Sequence, residues 1–258
     1  ILKISLYPMF SLFILFIIGS YAGIFFVRQT IAISIVVYSY IYIYKRRFLT
    51  FALLITIAFS IHASSLVFFP AYFIYKLNLS TKNIIIYITM AVLVGYLLSD
   101  IMQHYSLLGR VLSNKLSVYM EEGSDTNIAD ASSSSLYLRG LLSRSFLLLI
   151  IYPFINSYRK RNEQCQGLFN IFLFGFIIYA LAGSINITLA RLANYFDIFQ
   201  IFLLGYIFRS SIKLKTRIIV FLFFAIFFYA RFTAYSPYKS LFIPYKSIFN
   251  KELPVDIG

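Results

Sequence analysis

Residues 168–185 read LFNIFLFGFIIYALAGSI, a continuous apolar stretch without a charged residue. A helix needs roughly 17 to 25 apolar residues to cross the hydrocarbon core of a bilayer. Because the stretch is apolar on every side and does not alternate with polar residues, it is typical of a helix surrounded by lipid or other helices. The sequence therefore predicts an all-α, polytopic transmembrane helical bundle of about 7 to 8 spans. The other long apolar runs are residues 4–24, 84–98, 141–156 and 218–229.

The composition also favours a membrane protein. Apolar residues make up 60% of the 258 positions, charged residues 12%, and the mean hydropathy is +0.82. Soluble domains contain about 25% charged residues, so we expect one integral membrane domain over residues 1–258. The net charge of +14 does not indicate nucleic acid, because the basic residues lie in short links between apolar runs. The single cysteine, Cys165, excludes an intramolecular disulfide, and no Cys/His cluster has metal-ligand spacing.

The basic links predict the orientation of the helices. Such links usually lie on the cytoplasmic side, which places the polar segment at about residues 100–139 outside. Residues 48–75 are apolar like a single span, yet both flanks, 45–47 and 76–82, are basic. A re-entrant hairpin with its tip near residues 61–65 would keep both flanks inside, and the alternative is a cytoplasmic polar segment. The links assigned to the cytoplasm are Lys45–Arg47, Arg159–Arg161 and Arg209–Arg217.

Ionisable side chains in apolar stretches are candidates for function, because a central arginine costs roughly 2.5 to 3.5 kcal/mol to insert. Arg28 and Gln29 begin the second predicted span, and the alternative for Arg28 is an interfacial residue. His62 is the only side chain in the first hundred residues that titrates near neutral pH. Ser65 follows it by about one helical turn. The alternative for His62 is a hydrogen-bonded packing residue.

A third candidate group lies late in the chain. Arg191, Asn194 and Tyr195 share one face if they are helical, and the alternative is an anchor at a helix start. Under the hairpin topology all three groups approach the outer leaflet, where Arg28 and Arg191 would form a cationic pocket. Each guanidinium group can bind two phosphate oxygens at once and keeps its charge, so two such groups favour a diphosphate ligand. We expect loop or headgroup contacts for His104, Arg110, Arg139, Arg144 and Arg231.

Residues 27–74 read VRQTIAISIVVYSYIYIYKRRFLTFALLITIAFSIHASSLVFFPAYFI. This stretch resembles the EpsG family of Wzy-like polymerases, whose pattern joins Arg-Gln, a small-residue helix, a basic link, and His-x-Ser before a proline. A second match, ARLANYFDIFQIFLLGYIF at residues 190–208, is similar to an Arg and Tyr-Phe pattern of the family. Family members usually carry further N-terminal spans, so we expect an N-terminal part before Ile1. The residues that match the first pattern are Arg28, Gln29, Ala32, Lys45–Arg47, His62, Ser64 and Pro70.

The resemblance implies transfer of an oligosaccharide from one undecaprenyl diphosphate carrier to a sugar hydroxyl on another carrier. The reaction would occur at the outer face of the bacterial cytoplasmic membrane. The apolar runs contain no metal-binding acidic pair, so we expect a metal-independent reaction without a cofactor. His62, Arg28 and Arg191 would then be catalytic. A flippase and a chain-length regulator are implied partners. The substrate-binding residues would be Gln29, Ser64, Ser65, Asn194 and Tyr195.

Other functions fit the same residues. A non-enzymatic transporter or flippase would need only the two arginines to hold the same anionic glycolipid. A membrane acyltransferase or a glycan ligase also pairs histidine with arginine.

Overall fold

The computed structural model describes residues 4–25, 27–104, 133–185, 189–210 and 214–235. Every regular element in these ranges is helical, so the prediction of an all-α fold is confirmed for them. Two 3₁₀ helices, Ala63–Phe68 and Leu189–Ala193, interrupt the α-helices. The α-helices are α1 (Pro8–Phe25), α2 (Val27–Tyr44), α3 (Phe48–Ile61), α4 (Ala71–Ile74), α5 (Thr81–His104), α6 (Ser133–Arg159), α7 (Glu163–Ile185), α8 (Asn194–Asp197), α9 (Gln200–Ser210) and α10 (Leu214–Tyr235).

Some of these helices are long and apolar enough to cross a membrane. Within the described ranges, 3 helices meet that criterion, over Thr81–Leu98, Tyr137–Asn156 and Glu163–Ile185. Helix α3 has only 14 residues and is about 21 Å long, which is shorter than the bilayer core. The figure of about 7 to 8 spans stays a prediction.

Helix α7 is the centre of the bundle. Of its residues 61% are buried, compared with 17% of Thr81–Leu98 in α5, so α5 lies at the periphery. Gly95 of α5 sits against the Ala180 carbonyl oxygen, and Gly167 sits against the Tyr75 ring, so closely that a Cβ at either glycine would overlap its neighbour. Small residues at such crossings let helix backbones approach in a membrane.

Residues 48–75 form a helical hairpin. After α3 the chain is extended at His62, with φ −150° and ψ 109°, and then turns back. The Tyr72 ring lies 5.0 Å from the Phe48 ring and 5.4 Å from the Phe51 ring, between ring centroids. The return segment therefore ends beside the start of α3, with His62 at the tip. The re-entrant position of this hairpin in a membrane stays a prediction.

Two of the basic links, Lys45–Arg47 and Arg159–Arg161, lie at one end of the bundle, which we call the basic end; the third, Arg209–Arg217, lies partly outside the described residues. Arg46, after α2, forms an ion pair of 2.9 Å with Glu163 at the start of α7. Gln166 Nε2 donates to the Leu77 carbonyl oxygen at 2.8 Å, and Arg159 Nη1 donates to the Leu79 carbonyl oxygen at 2.9 Å. Both flanks of the hairpin therefore lie at the same end, as the hairpin topology requires.

Arg159 differs from its neighbours in the link after α6. The sequence predicts three cytoplasmic anchors there, and Lys160 and Arg161 are exposed. Arg159 is 4% exposed, and its guanidinium lies 5.5 Å from the centre of the Tyr152 ring. Its bond to the Leu79 carbonyl joins the end of α6 to the segment between α4 and α5, a role that spacing alone does not reveal.

Several sequence predictions lie outside the described residues. Most of the polar segment at about residues 100–139 falls there, and so does Arg110. The side chains of His104 and Arg231 are also not described. Arg139 is exposed and lies within α6, so it is not a loop residue, and its expected headgroup contact stays a prediction.

Candidate functional site

Three segments that are distant in sequence meet away from the basic end. Gln29 Nε2, at the start of α2, donates to the Arg191 carbonyl oxygen at 3.1 Å. The Ser64 Oγ, beside the hairpin tip, lies 2.9 Å from the Tyr195 hydroxyl oxygen. We call this place the junction, made of residues 28–29, 62–65 and 191–195. Helix α2 separates it from Lys45 by 17 residues, or about 25 Å.

The junction brings two guanidinium groups within electrostatic reach of one imidazole. His62 lies at the bend between two short helices, outside the three candidate spans. Burial lowers the pKa of His62 from its ordinary value of 6.5, and the positive charges of Arg28 and Arg191 lower it further. Both effects favour the neutral imidazole, which is the form that can accept a proton.

Exposure divides the predicted site residues into two groups. Arg28 and Arg191 are exposed, whereas His62, Ser64 and Asn194 are half-buried. Side chains with this exposure are accessible to a ligand. The buried members of the predicted set are Gln29, Ser65 and Tyr195.

The buried members hold the junction together. The Gln29 amide binds the main chain of Arg191, and the Tyr195 hydroxyl binds Ser64. Ser65 is fully buried, its backbone N–H donates to the His62 carbonyl oxygen at 3.0 Å, and its hydroxyl has no partner in the described part of the chain. Gln29 and Tyr195 thus have a positioning geometry, while the predicted substrate contacts of all these residues remain predictions.

Next to the junction lies an ion pair that the sequence did not reveal. Arg144 Nε of α6 donates to Asp197 Oδ2 at 3.0 Å, and Arg144 Nη2 donates to the same oxygen. Both side chains are buried, and the guanidinium carbon lies 3.7 Å from the centre of the Tyr179 ring. The prediction of a loop or headgroup contact for Arg144 was wrong, because its charge is neutralised inside the bundle. The only signal for Asp197 was an isolated acid shortly after Tyr195.

The described side chains contain no group of three or more His, Cys, Asp or Glu that could hold a metal ion. The charged groups that the junction does present are guanidinium groups. Their geometry suits phosphate oxygens, because each can donate two parallel N–H bonds.

The helices and the junction define a polytopic membrane protein with a cationic, histidine-containing site at one end of its bundle. The chain belongs to the EpsG family, since the model of that family matches residues 1–247. This confirms the resemblance seen in the sequence and links the protein to polysaccharides at the membrane. No curated protein and no solved structure matches the chain.

Proposed function

We propose that this protein polymerises lipid-linked oligosaccharide repeat units. The oligosaccharide on one undecaprenyl diphosphate is transferred to a sugar hydroxyl of a second carrier-linked unit. The observation that supports this most directly is that the hydrogen bonds from Gln29 to Arg191 and between Ser64 and Tyr195 bring the segments of Arg28, His62 and Arg191 together. A proton acceptor beside two permanent cations suits a reaction in which a hydroxyl attacks and a diphosphate leaves.

Each bond change has a group at the junction to assist it. The acceptor hydroxyl oxygen bonds to the anomeric carbon of the donor sugar, and the bond from that carbon to the diphosphate oxygen breaks. The diphosphate leaves with the electron pair, and Arg28 and Arg191 stabilise its charge by donating to phosphate oxygens. His62 takes the hydroxyl proton as general base, a role that typically contributes about 10² to 10⁴ in rate.

The two guanidinium groups supply positive charge at the leaving group without any other cation. We therefore propose a metal-independent reaction. Half-buried Ser64 and Asn194 are within the same segments and would bind sugar or phosphate oxygens.

The protein would lie in the bacterial cytoplasmic membrane as a bundle of about 7 to 8 spans. The basic end would face the cytoplasm, so the junction would open to the outer leaflet, where exported repeat units arrive. A flippase that delivers those units and a regulator of chain length would be its partners.

Proteoliposomes that contain the purified full-length chain test this function. Lipid-linked repeat units are supplied with EDTA and without an ion gradient, and the products are separated by gel electrophoresis. A ladder of elongated oligosaccharides is expected. A unit that crosses the vesicle membrane without elongation would indicate a transporter instead. Transfer only to an unrelated acceptor would indicate a ligase or an acyltransferase.

A further inference from the structure

The buried ion pair beside the junction joins Arg144 of α6 to the segment that carries Tyr195. Asp197 ends the short helix α8, which also carries Asn194 and Tyr195. Its Oδ2 accepts both bonds from Arg144, while its Oδ1 is buried without a partner in the described part of the chain. Among the described residues, the carboxylate is therefore held by Arg144.

Close packing presses the same segment against α7. A Cβ at Gly175 would lie 2.6 Å from the Phe196 Cβ and 3.3 Å from Asp197 Oδ1. Opposite, the Arg144 guanidinium stacks on Tyr179, another α7 residue. Asp197 thus lies between Gly175 of α7 and the Arg144 guanidinium, which stacks on Tyr179 of α7.

From Asp197 the contacts lead to the hairpin tip. Tyr195 lies two residues earlier and binds Ser64, and Ser64 follows His62 by two residues. Arg191 lies four residues before Tyr195, and the Gln29 amide donates to the Arg191 carbonyl oxygen. The segment that carries one cation of the junction is thus anchored at one end by Asp197 and at the other by Gln29.

We propose that Arg144 and Asp197 are a positioning pair, which holds residues 191–197 against the hairpin tip so that Arg191 and His62 act on one ligand. The inference rests on the proposed function only for its effect on rate. Buried ion pairs are weak sources of stability, because desolvation offsets their attraction. Two charge-assisted bonds to one oxygen are directional. They can fix the position of residues 191–197, a segment that has no long helix of its own.

The test compares two ion pairs of the full-length chain. The variant Arg144→Met/Asp197→Leu removes both buried charges and leaves neither one unpaired. The control Arg46→Gln/Glu163→Gln removes the exposed pair at the basic end. Hydrogen exchange, followed by mass spectrometry, is measured for peptides that cover residues 61–66, 193–198 and 168–180.

We expect exchange to rise about tenfold or more at residues 61–66 and 193–198 in the first variant. Residues 168–180, in the middle of α7, should keep their protection, and the control should match the original protein everywhere. Tyr195→Phe alone should raise exchange at residues 61–66, and adding it to the first variant should produce no further rise, because both changes break one series of contacts. Unchanged exchange at residues 61–66 in the first variant would overturn the inference.

If the first variant loses protection throughout, Arg144→Lys replaces it. Lysine keeps the charge but not the forked geometry or the stacking on Tyr179. Raised exchange at residues 61–66 with α7 protected would support a positioning pair, and unchanged exchange there would refute it.

Activity gives a separate readout. The rate constant kcat per folded molecule should fall about 10- to 100-fold in the first variant, as expected when a catalytic group is misplaced by about 1 Å. A kcat equal to that of the control would contradict the effect on rate. If the original protein does not elongate lipid-linked units, the proposed function fails, while the exchange measurements still decide the positioning.

Discussion

The Ser64 Oγ and the Tyr195 hydroxyl oxygen lie 2.9 Å apart although 131 positions separate the two residues in the chain. This contact joins the tip of the helical hairpin to the segment that carries Arg191. Tyr195 is fully buried and Ser64 half-buried, so the bond is partly shielded from solvent. It connects the segments that carry His62 and Arg191.

Removing the Tyr195 hydroxyl should affect activity more than stability. We expect Tyr195→Phe to lower the free energy of unfolding by about 1 kcal/mol, the net worth of one hydrogen bond. Polymer formation should fall about tenfold or more, because the hairpin tip is no longer held against Arg191. Thermal unfolding and the rate of elongation measure the two effects. Tyr38→Phe is the control, since Tyr38 is exposed and its hydroxyl lies 3.5 Å from that of Tyr42 on the same helix; equal rates for both variants would contradict the prediction.

Replacing the imidazole should abolish elongation while the protein still folds. His62→Ala removes the proposed general base, and we expect the rate to fall by about 10² to 10⁴. Expression level, membrane insertion and thermal unfolding should match those of Ser60→Ala, an exposed residue two positions earlier whose hydroxyl donates to the Ile57 carbonyl oxygen of its own helix. Polymer of normal length from His62→Ala would refute the assignment of the base.

The pH dependence of activity should report on the charges around His62. Arg28 is one of the cations that lower the pKa of His62. In Arg28→Gln the protonated imidazole is repelled less, so its pKa rises. Since the base acts only when neutral, the acidic limb of the kcat/KM profile should move to higher pH. Arg28→Lys keeps the charge and should leave the limb where it is; a limb that does not move in Arg28→Gln would rule out this electrostatic coupling.

Asn170 should matter for stability and not for chemistry. Its Nδ2 donates to the carbonyl oxygens of Ile74, Tyr75 and Leu77, at the end of the hairpin's return segment. Asn170→Ala leaves these groups without that donor, so we expect about 1–3 kcal/mol of destabilisation. Thermal unfolding checks the loss, and kcat per folded molecule should be unchanged. A lower kcat of Asn170→Ala with an unchanged unfolding temperature would contradict this prediction.

Two glycines should respond differently to the same substitution. Gly95→Ala would place a Cβ against the Ala180 carbonyl oxygen, where α5 crosses α7. Pushing the helices apart should cost about 1–3 kcal/mol. Gly205→Ala is the matched control, because its nearest neighbour, Ser5 Oγ, is 3.8 Å from the new Cβ. We expect a lower unfolding temperature for Gly95→Ala than for Gly205→Ala. Equal temperatures would show that the crossing of α5 and α7 tolerates a methyl group.

The hairpin shows how far charge patterns can predict topology. An apolar run with basic residues at both flanks cannot be a single span if both flanks lie on one side. That requirement predicted a reversal near residues 61–65, and the structure turns at His62. The prediction worked because it used a rule about ends of segments and needed no knowledge of side-chain partners.

The candidate residues show where such reasoning stops. Arg28 and Arg144 both stand in apolar stretches, yet one is exposed at the junction and the other is buried against Asp197. An arginine in an apolar stretch has the same pattern whether it meets a headgroup, a ligand or a buried acid. Gln29, likewise, was predicted to contact substrate, and its amide binds the chain itself.

The sequence by itself determined the helical class, the membrane character and the family, because these follow from local hydrophobicity and from short motifs with set spacing. It also indicated which rare polar groups were worth attention. Only the tertiary structure decided that Arg28, His62 and Arg191 lie within reach of one another and that Arg144 pairs with Asp197. Those relationships join residues far apart in the chain, and their energies depend on distances that no local pattern encodes.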